Sequence, residues 1–319
     1  MIKLIKNYFS KETKLLSIYD LDKAAASYGF IEFFQNALLY KKKKNIKEMD
    51  LLLISGEHNG FKFSQFLREK NFKLDYANIR LHNIVLSLVM MFKKNFKNFF
   101  YLQNRNDFYE LKKKYRYTFP DNYKTSISKH EYGKNIRWIN VEKNTINFKL
   151  KKIEIYNLYK FIVKKKIKTK KKIISITLRE SSYNQNRNNN IKNIIIFLEF
   201  LIKKNFFPII IRDFEKVYED DKLKKYEIFP EANFNLMLRA ALYKVSYLNL
   251  FSSNGPHLIC AVNNINSMAF KYGNLFYPNF DQIVGNSERS KVFGKNVKLF
   301  NLDDSIDNLI SKFNVFVKK

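Results

Sequence analysis

Residues 247 to 272 hold the pattern that most restricts the fold of this chain. Tyr247 to Phe251 is a short apolar run of strand character, and Ser252-Ser253-Asn254-Gly255 breaks it. Pro256 opens a helix through about Val262, Asn263 to Asn266 turn the chain, and Ser267 to Tyr272 make a second strand. Strands separated by a helix pair in parallel, because the helix returns the chain to the end where the first strand began. Proline at a first helical position sacrifices no hydrogen bond, since that N–H has no intrahelical partner. Gly255 lets backbone approach a ligand closely, and the amides of a new helix suit an anion, typically a phosphate. The same spacing also serves an ordinary strand–loop–helix connection.

The alternation recurs along the chain. In the first half, Leu15 to Tyr19 and Met49 to Ile54 read as strands and Phe99 to Leu102 as a short one, separated by helical spacing over Ala24 to Tyr40 and Ile79 to Phe92. Between about residues 104 and 150 the periodicity fades into polar, aromatic-speckled sequence, expected to form loops or an insertion. In the second half, strands are expected at Lys172 to Leu178 and Phe207 to Ile211, with helices at Ile191 to Lys204 and Leu236 to Ser246. Ile306 to Phe313 reads as an amphipathic closing helix. The lysine-rich run Lys164 to Lys172 marks a break. The expected fold is α/β, with an N-terminal Rossmann-like domain over residues 1–160, a second over 161–319, and a C-terminal closing helix.

A chain of 319 residues, 46% hydrophobic, can bury two cores. No run approaches the roughly 20 apolar residues of a membrane span. The N-terminus is too short and too lysine-interrupted for a secretory signal. The single Cys260 permits no internal disulfide, so a cytoplasmic setting is expected. The net charge is +30, and lysine supplies nearly all of it; only ten arginines are present. Nucleic-acid readers lean on arginine for bidentate contacts, so no specific nucleic-acid partner is expected. The charge does favour peripheral contact with an anionic membrane.

In a parallel sheet, ligands bind at the carboxyl ends of the strands. Three such ends here are rich in polar groups. The first gives Arg179, Glu180, Ser182, Asn184 and Arg187, the second Arg212 and Asp213, and the third Ser253, Asn254, Gly255, Pro256 and His257. Arg179 suits a diphosphate as a bidentate partner, and Glu180 or Asp213 could accept from sugar hydroxyls. Each also has a structural reading: Arg179–Glu180 as a local ion pair, Arg212–Asp213 as a strand-end pair, and His257 as a surface histidine with its hydrogen bonds met.

Ser253-Asn254-Gly255-Pro256-His257-Leu258 and Ala261 resemble the Ser/Thr-Gly-Pro-x-His-Leu-Ala element of heptosyltransferase-like enzymes, which belong to the glycosyltransferases of two Rossmann-like domains (GT-B). The resemblance spans about residues 170 to 305 and includes Arg239 and the segment Thr177 to Asn190. Asn254 stands where the family usually has an acidic or hydroxyl residue. The resemblance implies two facing domains and a cytoplasmic, metal-independent transfer of sugar from a nucleotide-sugar donor to a glycan or lipid-linked acceptor, with no cofactor. Such a transfer needs a base for the acceptor hydroxyl, for which Asp20, Asp22 and His58 are the candidates, beside Glu57. A nucleotide-sugar epimerase of the same architecture and a non-catalytic polyanion-binding protein are the competing readings.

Overall fold

A computed structural model describes residues 12–56, 74–136, 150, 152–164, 171–182, 184–273 and 296–317. The chain forms two compact units, Met1–Thr145 and Ile146–Lys319.

The first unit is built on β1 (Glu12–Asp20), α1 (Gly29–Lys43), β2 (Met49–Ile54), α2 (Leu74–Arg80), α3 (Ser87–Met91), β3 (Phe99–Leu102), α4 (Asp107–Lys113), β4 (Tyr115–Phe119) and α5 (Lys129–Ile136). A π-helical stretch, Leu81–Leu86, joins α2 to α3. The sheet order is β3-β2-β1-β4 and every pairing is parallel. All six residues of β2 are buried, as expected of a strand covered on both faces. Phe30, Phe33 and Phe34 of α1 pack their rings around Tyr19, Phe92 and Phe119. The loop after β2 runs so close to the loop after β1 that a Cβ on Gly56 would lie 2.3 Å from the backbone of Leu21 and Asp22. Glycine is a steric requirement there.

The second unit holds α6 (Lys152–Lys164), β5 (Ile173–Thr177), α7 (Ile191–Lys203), β6 (Phe207–Ile211), α8 (Glu231–Phe234), α9 (Leu236–Val245), β7 (Leu248–Phe251), α10 (His257–Val262), β8 (Ser267–Ala269), β9 (Val297–Leu299) and α11 (Ile306–Val317). Its parallel sheet runs β6-β5-β7-β8-β9, and Ile228 adds a parallel bridge to Ile210 on the outer side of β6. Both units are Rossmann-like, with the strand order reversing between β1 and β4 and between β5 and β7. The side chains of Asn190 and Asn235 cap α7 and α9 by accepting from the amides two and three residues on. The expected C-terminal helix is present as α11, whose Phe313 packs edge-on against Phe197, Phe200 and Phe206.

Two expectations need correction. The stretch 104–150 is not all irregular, since α4, β4 and α5 lie within it. β4 shows as the alternation Tyr115-Arg116-Tyr117-Thr118-Phe119, a period-two signal short enough to be lost in polar surroundings. The structure fixes its place: β4 pairs with β1, and the Tyr115 hydroxyl donates to the buried Asp50 at 2.6 Å. The division between units also falls at 145/146 rather than at residue 160. The reason is α6, which buries Leu158 and Phe161 against the second unit, where Phe161 stacks on Phe229 at 3.9 Å.

Truncating Phe313 to alanine removes the ring that fixes α11 and should cost about 3 to 5 kcal/mol. Urea unfolding followed by circular dichroism measures it, and a loss under about 1 kcal/mol would show that α11 is not part of the core.

Candidate functional site

In the second unit the strand order reverses between β5 and β7, so the loops after these two strands border the switch point where a parallel sheet offers a binding crevice. Those loops are interlocked. Arg187 donates through a guanidinium N–H to the Ser253 carbonyl, and the Ser252 hydroxyl donates back to the Arg187 carbonyl at 2.6 Å. Asn254 Nδ2 reaches the Thr177 carbonyl at 3.4 Å. Arg179 is half-buried, its amide donating to Asn189 Oδ1 and its guanidinium reaching the Asn184 carbonyl at 3.5 Å. Asn184 takes the left-handed conformation, with φ 53°, which folds the loop back on itself. The buried Oδ1 of Asn254 and the buried hydroxyl of Ser182 have no hydrogen-bond partner among the described residues. Buried polar atoms of this kind are rare in finished cores, and a polar ligand or water would satisfy them.

A tie that sequence reading missed supports this loop from the far side. The Asp304 carboxylate accepts from Asn189 Nδ2 at 3.0 Å, from the Asn190 amide at 2.8 Å and from Lys271 Nζ at 2.9 Å. Lys271, at φ 56°, also donates to the Asn188 carbonyl. Lys271 and Asp304 stand in separate stretches with no common motif, so only folding reveals the pair. Below the tie, between Thr177, Asn189, Phe251 and Asp304, lies a cavity of about 10 Å³, room for a water and not for a substrate.

Several expected donor residues serve the fold instead. Arg212 is buried, with its side chain 1% exposed, and makes a bidentate pair with Glu180 at 2.6 and 3.1 Å. It also meets Asp221 at 2.7 Å and the Glu219 carbonyl at 3.2 Å. Asp213 accepts from the amides of Phe214 and Glu180, at 2.8 and 3.3 Å. Glu180, Arg212 and Asp213 are thus consumed by one another and by neighbouring backbone, and the expected pairs Arg179–Glu180 and Arg212–Asp213 give way to Arg212–Glu180. Arg239 is buried on α9, donating to the Ala232 carbonyl at 2.8 Å and to Asn233 Oδ1.

His257 is a further correction. It is fully buried, not on the surface, with its ring edge-on to Phe251 and Tyr272, both at 5.5 Å. Burial holds its pKa down at about 3, so the imidazole is neutral at physiological pH. Helix α10 is only six residues long, and the Leu258 and Ile259 amides donate to the Gly255 and Pro256 carbonyls. Its first turn closes on itself more than an open anion cradle would.

In the first unit the switch point, between β1 and β4, is filled by side chains. Asp20 is fully buried. Its two oxygens accept from both guanidinium nitrogens of Arg105 at 2.9 and 2.6 Å, from the Asp22 amide at 2.9 Å and from the Tyr123 hydroxyl. Arg105 also donates to the Ser55 carbonyl at 2.9 Å. Burial, and then the Asp20 carboxylate, push the Tyr123 phenol well above its ordinary pKa and keep it a donor. The loops after β1, β3 and β4 therefore meet at one carboxylate, and the loop after β2 joins them through Arg105. Four donors on a buried carboxylate leave no lone pair for a substrate proton, which removes Asp20 from the candidate bases. Asp22 is part-exposed and lies 3.2 Å from Arg105. His58 and Glu57 lie outside the described residues. Among the described residues no group of three His, Cys, Asp or Glu side chains is placed to hold a metal ion.

No protein family and no curated protein matches this chain by sequence. Solved structures do match by shape. One is the glycosyl transferase family 9 protein from Veillonella parvula, with a TM-score of 0.50 at 10% identity over 97% of this chain and 90% of that one. Another is the ADP-heptose LPS heptosyltransferase II of E. coli, also at 0.50, with 8% identity over 95% of this chain and 98% of that one. At such identities the likeness defines the fold: two Rossmann-like α/β units in one chain, the GT-B architecture.

Two outcomes follow from the buried groups. The unfolded state protonates His257 near its ordinary 6.5 while the folded state resists until about 3. Stability should therefore fall as pH drops through that window, by up to about 1.4 kcal/mol per unit. Urea titrations of the parent and His257→Phe at neutral and acid pH test this, since the variant should lack that component. Arg212→Met strands Glu180 and Asp221 and should cost about 3 to 5 kcal/mol, measured in the same way at neutral pH.

Proposed function

We propose that this chain is a glycosyltransferase that takes a nucleotide-activated sugar and passes the sugar to a glycan or lipid-linked acceptor without a metal ion. The observation that carries the reading is that the loop bearing Arg179 and Arg187 is locked through Arg187 to Ser252 and Ser253 across the β5/β7 switch point, with Asn254 reaching Thr177 where that loop begins. Two guanidinium groups beside polar loop atoms suit a diphosphate, which gathers negative charge as the sugar departs. The fold shared with the Veillonella and E. coli proteins supports the reading. On this reading Arg179, Arg187, Ser182, Asn184, Asn254 and the Gly255 backbone hold the donor, while Glu180, Arg212, Asp213 and Arg239 keep those loops in place. Of the base candidates, Asp22 is the part-exposed one among the described residues, and His58 lies outside them. The protein works in the cytoplasm at the face of the membrane where lipid-linked acceptors are presented.

Calorimetric titration with nucleoside diphosphates and a panel of nucleotide sugars tests the donor site. Arg179→Ala should weaken the best ligand by about 10- to 100-fold, the effect of losing a charged hydrogen bond of about 1.5 to 3 kcal/mol. Neutralising a lysine of the 164–172 run should change little, because exposed charge is screened. Gly255→Val should abolish binding by filling the space beside the phosphates. Equal, salt-erasable losses from Arg179→Ala and from the lysine changes would reduce the binding to non-specific attraction and overturn the reading.

A further inference from the structure

One surface of the second unit is explained neither by its core nor by its loops. Helix α6 buries Leu158 and Phe161, yet Ile153, Tyr156 and Tyr159 are 53%, 51% and 62% exposed. At about 100° per residue, these three share one arc of roughly 160° with Lys152, Lys160 and Asn157, all exposed. Apolar and cationic side chains alternate across that arc, and Lys160 Nζ lies 4.8 Å from the Tyr156 ring centre. The sequence from Lys151 to Lys172 contains ten lysines and a single acid, Glu154. A helix with one face in the core and the other carrying tyrosine, isoleucine and lysine has two different surfaces to satisfy.

We propose that the outer face of α6 docks the protein on an anionic lipid bilayer. The lysines are attracted to the headgroup charge, and the two tyrosines and Ile153 enter the boundary between headgroup and acyl chain, with the phenol groups left at the wet side. Either contribution alone binds weakly and reversibly; a basic segment joined to an apolar stripe supplies the two signals that stable membrane attachment takes. Ile153 decides between a bilayer and a nucleic acid. A branched aliphatic side chain gains nothing from a phosphate backbone and cannot stack on a base, whereas burial in lipid removes it from water. This inference deepens the membrane-side reading given above by naming the surface, and it stands on exposure and charge and not on donor chemistry.

The test is co-sedimentation of the full chain with vesicles of phosphatidylglycerol and phosphatidylcholine, and with phosphatidylcholine alone. The parent should bind only the anionic vesicles. The Tyr156→Ser/Tyr159→Ser double variant should partition roughly tenfold less while keeping the parent's salt-sensitive binding to duplex DNA. Lys152→Gln/Lys160→Gln should weaken both. Tyr218→Ser, at a ring 77% exposed and not part of α6, should behave as the parent. The single Ile153→Asn variant repeats the test if the double variant melts early by circular dichroism. Nucleoside diphosphate titrations of the same proteins should be unchanged, which separates this inference from the donor reading. Parent-like vesicle binding by both the tyrosine and the isoleucine variants, equal binding to neutral vesicles, or binding to DNA alone would overturn the proposal.

Discussion

Parallel pairing is the constraint on which the rest of this structure depends. A parallel sheet covered by helices on both faces favours strands that are mostly apolar, and every strand delivers its carboxyl end to the same edge. Where the strand order reverses, two hydrogen-bonded neighbours send their loops apart and something must fill the gap. The two units fill it differently. In the N-terminal unit Asp20, Arg105 and Tyr123 close the gap from within. In the C-terminal unit backbone loops close it, and Arg179 and Arg187 are left half-buried at the edge.

Buried charge is the second theme. Asp20, Arg212 and the Lys271–Asp304 pair each sit where desolvation is costly, and each is surrounded by several partners. Such groups add little net stability over an apolar replacement, but removing one partner strands the others. Their effect is to fix loops in one arrangement. They also bear on the surface: of the chain's 29 acids three among the described residues, Asp20, Asp50 and Asp304, are buried. Among the described residues the buried cations Arg212, Arg239 and Lys271 match them in number, so burial leaves the net charge of the exterior as the composition gives it.

The strands were legible wherever burial was two-sided. Met49–Ile54 and Phe207–Ile211 fall on the expected residues, because short runs dominated by Leu and Ile, with no helical spacing of polar residues, suit a strand covered on both faces. β4 carries a strand signal in the alternation Tyr115-Arg116-Tyr117-Thr118-Phe119, but that signal stands in a polar, aromatic-speckled stretch with no apolar run to mark it. Among the site residues, the sequence showed which loops would be polar but not which side chains would turn inward. Glu180, Arg212 and Arg239 look the same in sequence as Arg179 and Arg187. What separates them is the partner each one meets: Glu180 for Arg212, the Ala232 carbonyl for Arg239, and the Ser253 carbonyl for Arg187.

The sequence by itself determined the α/β class, the parallel sheets, the two Rossmann-like halves, the closing helix and the positions of the polar strand-end loops. These follow from hydrophobic period and turn chemistry, which act over a few residues. Tertiary structure alone decided that Asp20 is a hub and not a base, and that His257 is a neutral core ring. It alone also brought Lys271 to Asp304 and turned the tyrosines of α6 outward. A side chain's protonation and partners depend on groups that arrive from distant parts of the chain, and burial makes those encounters decisive by removing the water that would otherwise stand in for them.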